Sequence, residues 1–216
     1  MTNILYPKIH SPFKRDMHHE RRPLMRQDWA RPEFNFLQNV EWKAYEKVDG
    51  TNIRVIFDGK TVKFGGRTEN AQIPPHLLSY LTDKFTPMKN NFLEVSEEKP
   101  LILFGEGFGY KIQNGAKYFN GKKEVGFCLF DARIGKWWIE KDRLIVFSTT
   151  CEIDIAPVIT ITSLNKLISL AERGVKSNFG DFYAEGMVAT PLIELKDRSG
   201  ARIITKIKHV DFFRGD

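Results

Sequence analysis

The chain has 216 residues, 42% hydrophobic and 12% aromatic, so it can bury a core of its own and is not a disordered protein. Its 33 Lys and Arg against 27 Asp and Glu give a formal net charge of +6, which favours a polyanionic partner without proving one. Two cysteines, Cys128 and Cys151, are too few for a disulfide framework. With no stretch long and apolar enough to span a membrane, we expect a soluble protein of the reducing cytoplasm.

The first 32 residues concentrate positive charge and contain four prolines without any sustained apolar period. We therefore expect a basic, irregular N-terminal arm over 1–32 with one short helix. Such an arm is a candidate contact for nucleic acid, and a solvated basic face explains it equally well. The basic side chains are Lys8, His10, Lys14, Arg15, His18, His19, Arg21, Arg22, Arg26 and Arg31.

Beyond the arm, short strand-like runs outnumber helical ones. The predicted strands are 40–45, 53–57, 61–64, 101–104, 125–130, 137–139, 186–189 and 201–210. One helix is predicted over 77–85, with Leu77, Leu78, Leu81 and Phe85 in the core. A second helix is predicted over 163–173, with Ser163 as its N-cap and Gly174 at its end. Without a repeat or a linker, the sequence favours a single α+β domain over 1–216 with a dominant antiparallel sheet.

Lys47 stands out because it lies beside two carboxylates in the link between two predicted strands. The stretch reads Glu46-Lys47-Val48-Asp49-Gly50-Thr51-Asn52. We interpret Lys47 as a nucleophile, with Gly50 leaving room for a phosphate or a metal. A lysine amine has a reference pKa of about 10.4, so this role requires burial or other cations nearby. A surface lysine in a hairpin is the alternative.

Lys206 and Lys208 are candidates for those cations. In a strand the two side chains share one face, about 7 Å apart, while Ile207 faces the core. This arrangement suits a phosphate, and a solvated strand face is the alternative.

Other positions could bind a nucleotide or a metal. Glu106 and Glu185 lie beside glycines at strand ends, where a carboxylate can reach a ribose hydroxyl or Mg²⁺. Arg67 has a planar fork that matches a phosphate or a sugar edge. The ring of Phe130 can stack on a base, although such a ring is more often core.

Taken in order, these motifs resemble the series of the covalent nucleotidyltransferases, a group of RNA ligases, DNA ligases and mRNA capping enzymes. Thr51-Asn52 resembles the nick-sealing RNA ligase branch, since DNA ligases usually have an arginine where this chain has Asn52. The match extends from 46 to 208. The motifs are Lys47-Val48-Asp49-Gly50, Arg67-Thr68, Gly105-Glu106-Gly107, Phe130-Asp131, Glu185-Gly186 and Lys206-Ile207-Lys208.

The resemblance implies an α+β nucleotidyltransferase domain of the ATP-grasp-like ligase kind, with antiparallel sheets flanked by helices. It implies that Lys47 attacks the α-phosphate of ATP and carries AMP, with Mg²⁺ or Mn²⁺ as the metal. The implied catalytic residues are Lys47, Asp49, Lys206 and Lys208, with both later lysines gripping the α-phosphate. The implied ATP contacts are Phe130 stacking on adenine, Glu46 and the Val48 backbone at its edge, Glu106 on the ribose, and Asn52 and Arg67 on sugar or phosphate. Glu185 is the implied metal ligand.

The function expected from the resemblance is ATP-dependent RNA ligation. The enzyme would join 5′-phosphate and 3′-hydroxyl ends through lysyl-AMP and an adenylylated 5′ end. Its partners would be RNA ends or a nicked duplex of RNA or RNA and DNA. It would act as a monomer in RNA repair, with a phage as one source of such a gene.

Three alternatives stay open. The same fold could seal nicked DNA or act on a GTP-derived cap. It could also be a stand-alone polynucleotide 5′-adenylyltransferase, because the chain ends eight residues after Lys208 and we expect no C-terminal OB-fold or helical domain. A third possibility is a non-catalytic nucleic-acid-binding protein.

Overall fold

The computed structural model describes residues 4–212, which form two compact units. The first unit contains residues 4–7 and Asp49–Ala156, and the second contains Lys8–Val48 and residues 157–212. Each unit has its own hydrophobic core. A single domain over 1–216 stays a prediction.

Eleven strands and five α-helices are found in residues 4–212. The strands are β1 (Phe13–Arg15), β2 (Leu24–Trp29), β3 (Glu41–Lys47), β4 (Thr51–Phe57), β5 (Val62–Gly65), β6 (Leu101–Gly109), β7 (Val125–Ile134), β8 (Trp137–Trp138), β9 (Val158–Ser163), β10 (Gly186–Pro191) and β11 (Thr205–Lys208). The helices are α1 (Pro32–Phe36), α2 (Pro75–Phe85), α3 (Lys89–Ser96), α4 (Lys141–Thr150) and α5 (Leu164–Arg173). The predicted α+β class with antiparallel sheets and flanking helices is confirmed.

The first unit is a five-stranded antiparallel sheet in the order β5-β4-β6-β7-β8. Helix α2 contributes Leu77, Leu81 and Phe85 to its core. Leu78 was wrongly predicted as core and is 39% exposed. The reason is helical geometry, because Leu77, Leu81 and Phe85 follow a four-residue spacing and the next residue is turned about 100° away.

The hairpin from β4 to β5 turns at Asp58-Gly59, between the predicted strands 53–57 and 61–64. Gly59 has a φ of +91°, which glycine adopts without strain. The Asp58 carboxylate accepts the amides of Thr61 at 2.7 Å and Lys60 at 3.0 Å. These amides hold the pKa of Asp58 well below its usual value, and the turn therefore favours the ionised carboxylate.

The second unit is a four-stranded antiparallel sheet in the order β11-β10-β3-β9. Its core includes Trp42 of β3, Met187 of β10 and Ile207 of β11, packed together with the apolar residues of α5. Helix α5 begins and ends as predicted, because Ser163 Oγ accepts the Lys166 amide at 3.4 Å and Gly174 lies at its C-terminal end. The sheet thus brings Lys47, at the end of β3, into line with the last two strands.

Several sequence-based expectations differ from the structure. The segment predicted as an irregular arm forms the hairpin β1–β2, because Phe13 is buried and Arg15 and Arg26 make ion pairs with Asp211 and Glu172. The predicted strand 201–210 shortens to Thr205–Lys208, because a turn at Asp197–Gly200 precedes it and a 3₁₀ turn at His209–Asp211 follows. Helices α3 and α4 and strand β9 were not predicted. Within 4–212, no helix is both long and apolar enough to cross a bilayer.

Gly186→Ala is expected to destabilise the second unit. The added Cβ would lie 2.1 Å from the Ile207 carbonyl oxygen and 2.7 Å from Lys208 Cα, and both neighbours are backbone atoms. We expect the free energy of unfolding to fall by about 2 kcal/mol or more in urea denaturation. Gly121→Asn is the control, because Gly121 has open space around its Cβ position and Asn tolerates its φ of +78°. Equal stability of Gly186→Ala and the wild type would contradict the close packing of β10 on β11.

Candidate functional site

The alternation of side chains along β3 places Lys47 on the face of the sheet opposite to the core of the second unit. Trp42, Ala44 and Glu46 point into buried surroundings, whereas Lys47 points to the opposite face and keeps 21% of its side chain exposed. Since side chains alternate along a strand, the apolar partners of β3 determine which way Lys47 points.

Glu185 connects Lys47 with Lys208. Gly186, the residue after Glu185, pairs with Lys47 on one neighbouring strand and with Lys208 on the other. Lys47 Nζ lies 2.6 Å from Glu185 Oε2, and Lys208 Nζ contacts Glu185 Oε1. The three side chains are each 15–28% exposed. The sheet therefore joins two cations and one carboxylate that are far apart in the sequence.

The charge state of Glu185 follows from its neighbours. Burial raises the pKa of Glu185, but the ion pairs with Lys47 and Lys208 outweigh burial and hold that pKa below its usual value. The carboxylate is therefore ionised at neutral pH, and both ammonium groups donate to it.

Lys206 lies on the same strand face as Lys208, and Ile207 between them is fully buried, as predicted. The Lys206 amide donates to the His10 carbonyl oxygen at 3.0 Å. Burial together with the charges of Lys8, Arg31 and Lys206 lowers the pKa of His10. Lys8 and Lys206 thus lie close enough to His10 to disfavour its protonated form.

The structure places Glu46 in a role that its motif did not indicate. Its side chain is 2% exposed, and its carboxylate accepts the Ser177 hydroxyl at 2.6 Å and the Asn178 amide at 2.7 Å. These bonds tie β3 to the loop at 177–178. Val48 is also buried, at 4% exposure. The expected reading of the adenine edge by Glu46 and Val48 stays a prediction.

Asp49 and Gly50 belong to the first unit. The Asp49 amide donates to Tyr118 Oη at 2.9 Å, and its carboxylate accepts Asn114 Nδ2 at 3.2 Å. A Cβ on Gly50 would lie 2.3 Å from the Gly107 carbonyl oxygen. Close approach of β6 therefore accounts for glycine at this position, whereas the sequence was interpreted as leaving room for a phosphate or a metal.

Asn52 and Glu106 are cross-strand neighbours on β4 and β6 of the first unit. The Asn52 amide oxygen is buried and has no hydrogen-bond partner among residues 4–212. Because a buried unpaired acceptor is costly, this oxygen is suited to accept from a ligand hydroxyl or amine. The glycines beside Glu106 serve the core, since a Cβ on Gly105 or Gly107 would clash with Phe127 or Leu77.

Phe130 lies at a β-bulge. Phe104 of β6 pairs with Asp131 and Gly105 pairs with Leu129, so Phe130 is the extra residue of β7. Such a bulge re-aims a side chain out of the regular alternation. Lys141 Nζ donates to the Phe130 carbonyl oxygen at 2.5 Å, which fixes the bulged backbone.

Tyr6 packs against the Phe130 ring. Its ring makes an edge contact at a centroid distance of 5.1 Å, and its hydroxyl donates to the buried Asp131 carboxylate at 2.9 Å. Tyr6 thereby supports one side of the ring that is expected to stack on a base. Sequence reasoning missed Tyr6, because nothing in an N-terminal tyrosine signals a partner 125 residues away.

Arg67 is exposed in the loop after β5, and Arg54 holds that loop. Arg54 is 2% exposed and donates to the Gly66 carbonyl oxygen at 2.8 Å. Burial lowers the pKa of Arg54, and the negative charge of Glu69 opposes that shift. An arginine at a core-facing strand position was the available signal, and it was missed.

The fit to a divalent metal depends on Glu185. Within the part of the chain described, no group of three or more His, Cys, Asp or Glu is placed to hold a metal. Mg²⁺ usually binds through one or two carboxylates, with substrate phosphates and water completing its coordination. Glu185 fits that pattern, although a cation would share its carboxylate with two lysines.

Comparisons with known proteins identify the family. The family model described as RNA ligase matches residues 40–208, which is well over half of the chain. The chain therefore belongs to the RNA ligase family, as its motifs predicted. A comparison with curated protein sequences finds no match.

Solved structures share the fold. The Naegleria gruberi RNA ligase with PPi superposes with a TM-score of 0.63 at 16% identity, covering 82% of this chain and 52% of that one. A variant of that ligase with ATP and Mn gives 0.61 at 16% identity, covering 83% and 54%. An apo variant gives 0.61 at 14% identity, covering 96% and 58%. The chain spans about half the length of these ligases, and at this identity the likeness concerns the fold.

Glu185→Gln is expected to weaken the acid sensitivity of the second unit. A carboxyl whose folded pKa is depressed stabilises the fold above its unfolded pKa, and that stability is lost as pH falls through the folded pKa. The wild type should therefore lose free energy of unfolding as the pH falls below about 4.5, the ordinary value for Glu, and the variant should lose less.

The measurement is urea denaturation of both proteins at pH 7 and across the acid range. Glu194→Gln is the control. The Glu194 side chain is 41% exposed and lies 3.9 Å from Arg202, a longer separation than the 2.6 Å between Glu185 and Lys47. At pH 7 the Glu185 variant should be less stable by about 1–3 kcal/mol. Identical pH profiles for wild type and Glu185→Gln would show that the two ion pairs contribute nothing.

Proposed function

We propose that the chain is an ATP-dependent RNA ligase that joins 5′-phosphate and 3′-hydroxyl ends through an AMP carried on Lys47. The observation that carries the proposal is the contact of Lys47 on β3 and Lys208 on β11 with Glu185, the residue before β10. Membership of the RNA ligase family supports it. The comparison structures contain PPi, ATP and Mn, which suggests the same substrate and type of metal here.

The proposed reaction has three transfers. Lys47 Nζ loses a proton and attacks the α-phosphorus of ATP, so that a P–N bond forms and the bond to pyrophosphate breaks. An oxygen of the RNA 5′-phosphate then attacks the same phosphorus, and Lys47 leaves with its amine restored. Finally the 3′-hydroxyl attacks the 5′-phosphate, a phosphodiester forms and AMP leaves.

The residues of the second unit fit the first transfer. Lys206 and Lys208 would donate to the α-phosphate oxygens and stabilise the negative charge that develops there. Lys47 donates to Glu185 in this structure, and an ammonium in that contact has no lone pair for attack. The proposed role of Glu185 is thus to orient the amine and to hold a divalent metal, which supplies charge neutralisation when bound.

The residues of the first unit fit recognition of the nucleoside. The buried amide oxygen of Asn52 can accept from a sugar hydroxyl, with Glu106 on the neighbouring strand. The β-bulge at Phe130 and the contact with the Tyr6 ring would together orient the Phe130 ring for stacking on adenine. Asp49 and Arg67 complete the proposed set.

The proposal extends to the setting of the reaction. Two free, buried cysteines are compatible with a reducing cytoplasm, where RNA repair by a monomer would take place. Nicked RNA, nicked RNA and DNA hybrids and nicked DNA should be tested side by side. Product that stops at the adenylylated 5′ end would favour the stand-alone adenylyltransferase instead of a complete ligase.

Lys47→Ala is expected to abolish transfer of AMP to the protein. In the proposed reaction the P–N bond forms at the Lys47 amine. Incubation with α-labelled ATP and Mg²⁺ should therefore label the wild type and not the variant. Lys43→Ala is the matched control, because Lys43 is half-buried on the same face of β3 and should remain labelled. Labelling of Lys47→Ala would overturn the proposed role of Lys47, whereas no labelling of the wild type would favour a non-catalytic binding protein.

Lys206→Ala and Lys208→Ala should each reduce labelling of Lys47 by roughly tenfold or more, since each removes a charge-assisted phosphate contact. Initial rates of labelling at saturating ATP measure the effect. Lys196→Ala, which removes an exposed lysine elsewhere in the second unit, should leave the rate unchanged. Rates close to wild type for both strand variants would mean that neither lysine contacts the α-phosphate.

A further inference from the structure

The loop at 110–124, between β6 and β7, is the most basic exposed segment of the first unit. We call it the lysine loop. It contains four lysines and one acidic residue, Glu124. Lys111, Lys122 and Lys123 are exposed. Lys122 lies 3.8 Å from Glu124, with their side chains 70% and 55% exposed, and such a pair neutralises little of the loop's charge.

Aromatic rings lie among these cations. The ammonium groups of Lys111 and Lys123 lie 5.3 Å and 6.0 Å from the Tyr110 ring centroid, and that of Lys117 lies 5.6 Å from the Tyr118 ring centroid. Tyr110 is half-buried and thus still partly accessible. Lysines next to partly exposed rings are the combination that binds a nucleic-acid strand, because cations contact phosphates and rings contact bases or sugars.

The lysine loop has a defined conformation. Lys111 and Gln113 have φ values of 55° and 45°, which lysine and glutamine rarely adopt unless the surrounding structure imposes them. Within the loop, the side chains of Ile112 and Tyr118 are buried. A loop that is held in place loses little conformational entropy when it binds a partner.

The lysine loop is also fixed to the motif that follows Lys47. Tyr118 Oη accepts the Asp49 amide, and Asn114 Nδ2 donates to the Asp49 carboxylate. Both contacts lie within the first unit. The loop's charges are therefore held at a constant position relative to Asp49, two residues from the proposed nucleophile in the chain.

We infer that the lysine loop is a docking surface for the sugar-phosphate backbone of the RNA substrate. Its exposed lysines are spread over 111–123, which suits several phosphates of a strand better than the single triphosphate of ATP. The inference rests on the proposed ligase function, since it assigns a surface to that function's RNA. It adds residues to which the family resemblance assigned no role.

The test compares two triple variants with the same loss of charge. One combines Lys111→Ala, Lys122→Ala and Lys123→Ala in the lysine loop. The matched control combines Lys60→Ala, Lys89→Ala and Lys136→Ala, three exposed lysines elsewhere in the first unit. The probe is a fluorescein-labelled nicked RNA duplex, and its Kd is measured by anisotropy at several salt concentrations in EDTA without ATP.

The loop variant should bind the duplex at least roughly tenfold more weakly than the wild type. The slope of log Kd against log salt should fall by about 2–3, because each phosphate contact contributes about 0.7–0.9. The control should retain both values. Unchanged binding by the loop variant, equal weakening in both variants, or no binding by the wild type would each overturn the inference.

Labelling of Lys47 by ATP separates this inference from the proposed function. RNA takes no part in that first transfer, so the loop variant should label at the wild-type rate. Normal labelling with unchanged RNA binding would remove only the docking surface. Absence of labelling in the wild type would remove the proposed ligase reaction, whatever the RNA affinity.

Discussion

The ammonium groups of Lys47 and Lys208 share the Glu185 carboxylate in the second unit, and the arrangement of the candidate site depends on this contact. Lys47, Glu185 and Lys208 come from β3, from the residue before β10, and from β11, and strand pairing brings their backbones into register. Two lysines held this close would repel each other without an anion between them. Glu185 supplies that anion in the structure described here, and the α-phosphate would supply a second one in the proposed reaction.

The sheet around this contact is closely packed. Glycine at 186 lets β10 approach the Ile207 carbonyl oxygen to a distance that a Cβ would exclude. Glu46, on the opposite face of β3 from Lys47, is held by Ser177 and Asn178. Because both faces of β3 are held, Lys47 has little freedom to leave the carboxylate without a competing anion or cation.

The sequence was informative where a residue's environment is local or periodic. Alternation along β11 predicted that Lys206 and Lys208 share one face while Ile207 is buried, and Ser163 and Gly174 marked the ends of α5. Lys47 was placed in the link between two strands, whereas it is the last residue of β3. It was uninformative where the partner is distant. The hydroxyl of Tyr6 bonds to a carboxylate 125 residues away, and a bulge at Phe130 depends on how β6 pairs with β7. The glycines beside Glu106 were interpreted as leaving room for a ligand, whereas they accommodate Phe127 and Leu77.

The order of the strands along the chain has a consequence for biosynthesis. Strand β3, with Lys47, is made early, whereas Glu185 and Lys208 lie 138 residues and more beyond Lys47. At a translation rate of roughly 5–20 residues per second, the roughly 160 residues between Lys47 and Lys208 take about 8–32 s to synthesise. For the first 138 residues after Lys47 the growing polypeptide lacks Glu185, and Lys206 and Lys208 are added later still. The Lys47–Glu185–Lys208 contact therefore cannot form until β11 has been synthesised.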